Sequence, residues 1–140
     1  MRASSHTIQR ETTGDGDIID LTDELQGLVA AEGIRTGQVT AMVVGSTAAL
    51  STLEYEPGLV KHDVVAALER IAPEGGRYVH EQTWHDDNGH SHVRAFLIGP
   101  SLALPVIDGR IPLGTWQQVV LIDLDTRPRH RTVAVVIVGE

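Results

Sequence analysis

From residue 77 to its end, the chain is cut by turn signals at intervals of about ten residues. No other feature constrains the fold as much. Segments 77–85, 91–98, 101–107, 115–124 and 131–138 are apolar or alternating, and "DDNG", "GP", "DGR", "PLG" and "DTRPRH" separate them. Gly, Pro, Asp and Asn are the residues that turns demand. Short strands spaced this closely predict an antiparallel meander or sandwich.

The first half reads differently. Residues 4–13 have strand-like content, and "GDGD" at 14–17 is a turn. A helix follows from about Asp20 to Ala31, with Leu21, Leu25, Leu28 and Val29 on one face and Gly33 as its stop. "GQVTAMVVG" (37–45) predicts a buried strand and "ALSTLEY" (49–55) another. Pro57 suits the first turn of a second helix, which the three-and-four spacing of Leu59, Val60, Val64, Ala67, Leu68 and Ile71 carries to about Ile71. The expectation is α+β: one compact domain spanning 1–140, with a large antiparallel sheet or sandwich and two main helices.

Charge and cysteine content narrow the function. A net charge of -8 argues against a nucleic-acid backbone or an anionic membrane surface as partner. It leaves room for a small phosphorylated ligand, which needs only local donors. With no cysteine, any metal must be held by His, Asp, Glu, hydroxyl or backbone oxygen. The N-terminal segment has no apolar core of a secretory signal, and no apolar run approaches the roughly 20 residues of a membrane span. A cytoplasmic setting is expected.

The densest chemistry is "HDDNGHSH" at 85–92, with three histidines and two aspartates. On a strand, His90 and His92 would share one face. A hairpin closed by "DDNG" would bring His80 across from them. His80, His90 and His92, with Asp87, then make a reasonable divalent-metal set, for Mg²⁺ or Zn²⁺, or a general acid–base group. "DDNG" is equally good turn chemistry by itself. His6, His62 and His130, outside the cluster, read as structural or surface residues.

Three segments carry a family resemblance: "GSTAALSTLEYEPGLVKHD" (45–63), "DDNGHSHVRAFLIGPSLALPVIDGRIPLGTWQQVVLIDLD" (86–125) and "VVIVGE" (135–140). In these the chain resembles the YjbQ family, also known as secondary thiamine-phosphate synthases, over about 18–140. The family pattern has His-Thr-Ser-Ala, an Asn-Glu pair and a downstream Asp. Ser46, Thr47 and Ala48 match its hydroxyl part, Glu54 its glutamate and Asp63 its aspartate. Gly45 stands where many members carry histidine, and Leu53 where they carry Asn. His92 matches the histidine of the family's acidic loop, His80 another recurrent histidine, and Asp87 with Asn88 its acidic pair. The resemblance implies a compact α+β domain assembled as a homotrimer, with sites near subunit contacts.

The implied reaction joins an aminopyrimidine methyl pyrophosphate to a thiazole phosphate and releases pyrophosphate. It needs charge neutralisation on the leaving group and positioning of two rings. The resemblance assigns catalysis to Asp87, His92 and Glu54. Ser46, Thr47 and Ser101 could donate to phosphate oxygens, and Arg94 or Arg110 could supply charge. Trp116 could stack on a pyrimidine and Gln117 bond its edge, although Trp116 suits an apolar core as well. The rival reading is a homotrimer that binds a metal or phosphorylated ligand without turnover.

Overall fold

A computed structural model describes residues 1–140. The chain runs β1 (Arg2–Thr12), β2 (Asp17–Asp20), α1 (Thr22–Glu32), β3 (Thr36–Val44), β4 (Ala48–Leu53), α2 (Val64–Ile71), α3 (Glu81–Trp84), α4 (Gly89–Ile98), β5 (Ser101–Ile107), β6 (Gln118–Asp123) and β7 (Arg129–Gly139). All strand pairs are antiparallel. They form a four-stranded sheet ordered β1-β7-β3-β5 and a three-stranded sheet ordered β2-β6-β4. The expected α+β class and the two main early helices are present.

Strand periodicity builds the layers. In β3 and β7 every second residue turns inward: Val39, Ala41 and Val43, then Val133, Val135 and Ile137. These pack with Leu50, Val119 and Leu121 of the small sheet and Leu25 and Val29 of α1 in one apolar core. The small sheet is buried on its other face too, where Ala49, Val120 and Ile122 meet Leu68 of α2 and Ala95 of α4. Hence "QVVLID" reads as a continuous apolar run rather than an alternating one. The large sheet packs on one face only.

The second helical segment starts at Pro57, as expected, and runs unbroken to Ile71. Glu56 Oε1 accepts from the Gly58 N–H at 2.7 Å, and Oε2 from the Leu59 N–H at 3.0 Å. These bonds hold the Glu56 carboxyl below its usual range. A single π-helical turn at Leu59–Asp63 then leads into α2.

Two expected strands are helices. The alternation in 77–85 does not correspond to burial, since Val79 is 76% and Trp84 69% exposed. The His80 carbonyl accepts from the Thr83 and Trp84 N–H groups, winding a short helical turn. Residues 91–98 belong to α4, whose buried positions Gly89, His90, Ser91, Arg94 and Ala95 recur at three and four. "DDNG" is therefore a helix entry and not a hairpin loop. His85 and Asp87 adopt positive φ in it, and Glu81 Oε1 accepts the Gly89 N–H at 2.7 Å.

Candidate functional site

A cleft of about 480 Å³ opens where the β3–β4 connection, the α3–α4 connection and the start of β7 meet. Gly45, Ser46 and Thr47 line one side, His80, Asp86, Asn88 and His92 another, and Asp125, Arg129, His130 and Arg131 the floor. It is almost wholly polar, with Trp84 at its edge.

Beneath it lies a buried ionic network. Asp123 is fully buried, and Arg131 is 6% exposed. The Arg131 guanidinium donates from Nε to Asp123 Oδ2 at 2.8 Å and from Nη2 to Asp123 Oδ1 at 2.9 Å. Thr12 donates its hydroxyl to the same carboxylate. Arg131 Nη2 also donates to Thr47 Oγ1 at 2.7 Å, and Thr47 Oγ1 donates to Asp125 Oδ2 at 2.9 Å. Arg129 Nε donates to Asp125 Oδ2 at 2.9 Å. Burial by itself would push the Asp123 carboxyl up. Arg131, Thr12 and the Asp125 N–H outweigh it and hold that carboxyl below the usual range. For Asp125, burial is likewise outweighed, here by the Thr126 N–H, Thr47 and Arg129.

The histidines divide. The rings of His80 and His92 meet edge-on, with centroids 4.6 Å apart. His80 Nε2 lies 3.2 Å from Asn88 Oδ1 and 3.5 Å from Asp86 Oδ1. His90 is 3% exposed and does not line the cleft. Its ring lies 6.2 Å from that of Tyr78, and its Nδ1 has no hydrogen-bond partner. The expected common face for His90 and His92 fails because residues two apart on a helix point to nearly opposite sides. His80, His90 and His92 do not form one coordination set, and no three His, Asp or Glu side chains are placed to hold a metal ion.

The other expected site residues scatter. Ser46 and Thr47 are in the cleft. Asp87 lies in the neighbouring acidic hollow with Glu74 and Glu81, where Asp86 is shared with the cleft. Glu54, Trp116 and Gln117 sit at the far end of the small sheet. The β4–β6 register pairs Leu53 with Gln118 there, against Ala48 with Asp123 at the cleft end, a separation of about 17 Å along a strand. Gln117 Nε2 donates to Thr52 Oγ1 at 3.1 Å, and Trp116 is 71% exposed, so the ring is not core. Ser101 opens β5 outside the cleft, next to a recess lined by Ala48, Ala95, Phe96 and Pro100. Arg94 is a buried strut, bonded to Glu69 at 2.6 Å and to the Ala72 carbonyl at 2.9 Å.

Sequence reasoning missed Arg129 and Arg131 and read His130 as structural or surface; Arg129 and His130 stood in the turn "DTRPRH", and Arg131 opened the predicted strand 131–138. A signal was present. The inward alternation of Val133, Val135 and Ile137, extended back by one period, puts Arg131 on the core side of β7.

The sequence model of a family described as "UPF0047 protein YjbQ-like" matches residues 6–140. A UPF0047 protein of Methanothermobacter thermautotrophicus is 34% identical over 140 residues, covering 100% of this chain and 95% of that one. One from Archaeoglobus fulgidus is 36% identical over 119 residues, covering 85% and 89%. Among solved structures, a YbjQ-like protein of unknown function from Sulfolobus solfataricus superposes with a TM-score of 0.87 at 28% identity, over 99% of this chain and 100% of that one. A hypothetical protein from Aeropyrum pernix superposes with a TM-score of 0.86 at 31% identity, over 100% of both.

Proposed function

The chain belongs to the UPF0047 YjbQ-like family, and from that premise we propose that the polar cleft binds a small phosphorylated ligand and performs a weak thiamine-phosphate synthase reaction in a cytoplasmic homotrimer. The observation that carries the reading is the His80–His92 pair, in edge-on contact beside Asp86 and facing the hydroxyl-bearing Ser46–Thr47 segment in one cleft. The resemblance of segments 45–63 and 86–125 to secondary thiamine-phosphate synthases supports the choice of reaction.

In that reaction the thiazole nitrogen lone pair attacks the pyrimidine methylene. The carbon–oxygen bond to pyrophosphate breaks, and the leaving group takes the electron pair. The residues here serve the leaving group: a protonated His92 or His80 donates to its oxygens, and Ser46 adds a hydroxyl donor. The recess at Ala48, Ala95, Phe96 and Pro100 shares Gly45, Ser46 and His92 with the cleft and offers an apolar surface to a ring. Because the three histidines do not converge, no step is assigned to a bound metal.

One observation favours the rival reading, a ligand-binding trimer without turnover. Glu54, Trp116 and Gln117 lie at the opposite end of the small sheet from His92 within one chain. Pyrophosphate release from the two substrates separates the readings. Turnover by the native protein, reduced about 10²–10⁴-fold in His92→Ala with an unchanged fold, supports the enzyme. Phosphate-ligand binding without release leaves the rival.

A further inference from the structure

The cleft holds hydrogen-bond donors that nothing in the chain satisfies. Arg131 commits Nε and Nη2 to Asp123 and Thr47, but Nη1 makes no hydrogen bond. Its side chain is nonetheless only 7% exposed, held rigidly by a fully buried carboxylate. The backbone N–H groups of Gly45, Ser46 and Thr47 likewise find no partner in the chain, since these residues fall between β3 and β4. The Ser46 hydroxyl is free as well. All four residues line the same cleft.

Gly45 keeps this arrangement open. Its φ of +138° is one that side chains rarely adopt, and a Cβ there would lie 2.8 Å from Arg131 Nη1. Any larger residue would press on the one guanidinium nitrogen that makes no hydrogen bond. The position thus gives up a side chain and gains access to a guanidinium.

The carboxylates lining the cleft do not cancel these donors. Asp125 is engaged on both oxygens, by Thr126 on one and by Thr47 and Arg129 on the other. Asp86 approaches only His80, its buried Oδ1 lying 3.5 Å from Nε2 without a hydrogen bond.

From this geometry we infer that Arg131 Nη1, the Gly45–Thr47 backbone amides and the Ser46 hydroxyl form a phosphate-binding cradle, and that the ligand of the cleft is a phosphate ester or pyrophosphate held by that group. Three amides, one hydroxyl and two Nη1 hydrogens match the several lone pairs of a tetrahedral dianion. A carboxylate offers only two oxygens. Arg suits the role because its fork binds Asp123 and still has hydrogens to present on the other side. The inference rests on the cleft being the functional site, but not on the reaction assigned to it.

The test is a titration of the isotope-labelled full chain with inorganic phosphate, and separately with acetate, at constant ionic strength. It follows the Gly45, Ser46 and Thr47 amide signals and the Arg131 Nε–H signal. Phosphate should shift all four together and saturate, and acetate should not. Arg131→Lys retains a cation beside Asp123 but loses the fork. It should weaken phosphate by about tenfold or more while the remaining spectrum stays that of the folded protein. Ser46→Ala, which leaves the buried network intact, should weaken it by a smaller factor. Shifts elsewhere only, equal response to acetate, or unchanged affinity in both variants overturns the cradle. Saturable phosphate binding without pyrophosphate release upholds the cradle and rejects the synthase. Pyrophosphate release without these shifts does the reverse.

Discussion

At the scale of single residues, the buried pair Asp123–Arg131 decides how this protein responds to acid. Asp123 and Asp125 both have carboxyls held below the usual range in the folded state, despite burial, by their hydrogen bonds and guanidinium partners. A depressed folded value means stability that is fully present above the unfolded value of about 3.9 and is lost as pH falls through the folded one. Asp15 acts oppositely. Burial and the nearby Glu74 raise its carboxyl, so it favours the fold at low pH. Glu56 and Glu69 are depressed as well, so four lowered carboxyls against one raised carboxyl set the sign. The urea midpoint should hold from neutrality to about pH 5 and then fall steeply below about pH 4. Asp123→Asn should flatten that acid limb and cost about 3–5 kcal/mol at pH 7, because it leaves Arg131 buried without its charge partner. A limb of unchanged steepness in the variant would place the acid sensitivity elsewhere. Trp116 gives a contrasting case: exposed as it is, Trp116→Ala should change stability by no more than about 0.5 kcal/mol in denaturant titration. The sequence made the histidines visible because they cluster within eight positions. The arginines beneath them were not, because Arg131 reaches its partners Thr47 and Asp123 through the tertiary fold and, at the start of the predicted strand 131–138, carries no local sign of them.

At the scale of elements, the strands were legible and the helices after residue 77 were not. A strand announces itself through a burial period of two, which β3, β5 and β7 keep along their length. In α4 the inward face is built from Gly89, His90, Ser91, Arg94 and Ala95, which carry little apolar signal. Its apolar residues Val93, Phe96 and Leu97 point outward instead, so hydrophobic pattern and burial disagree. The same helix turn separates His90 from His92 and removes the expected three-histidine set. Glycines show how tightly particular elements approach. Gly37 on β3 lies opposite Gly139 on β7, and a Cβ on Gly37 would stand 2.1 Å from the Val138 carbonyl oxygen. Gly37→Ala must push the two central strands apart, at a cost of about 1–3 kcal/mol or more. Gly27 lies on the exposed side of α1 with nothing within 4 Å of the added carbon. Gly27→Ala should stabilise the protein by about 0.4–1 kcal/mol. Thermal melts of the two variants should move in opposite directions. A shared direction would mean that strand spacing at Gly37 adapts without strain.

At the scale of the whole molecule, the outer face of the four-stranded sheet is the feature that a lone subunit leaves unexplained. Its outward residues on β3, β7 and β5 include Met42, Val44, Ala134, Val136, Ala103, Pro105 and Ile107. Met42 is 45%, Val44 54%, Val136 43% and Ile107 53% exposed. No charged side chain points outward from β3, β5 or the 132–138 stretch of β7, although 21% of the chain is charged. A neutral, flat patch of this extent is what an interface between copies requires, and it is costly for an isolated subunit. The two-sheet layout follows from strand spacing, but the order β1-β7-β3-β5 depends on pairings between distant strands that no local pattern encodes. A homotrimer is likewise an expectation drawn from the family resemblance alone and has no local signature in the sequence. If the proposed trimer forms and this sheet face closes it, Val136→Lys, a charge at its centre, should dissociate it while each subunit keeps its fold. Light scattering should then read one subunit mass, about 15.1 kDa, in place of three times that value, with unchanged far-ultraviolet dichroism. A variant that stays trimeric would move the interface to another surface, with the outward side chains Trp84, Phe96 and Leu97 beside the cleft as the next apolar group to test.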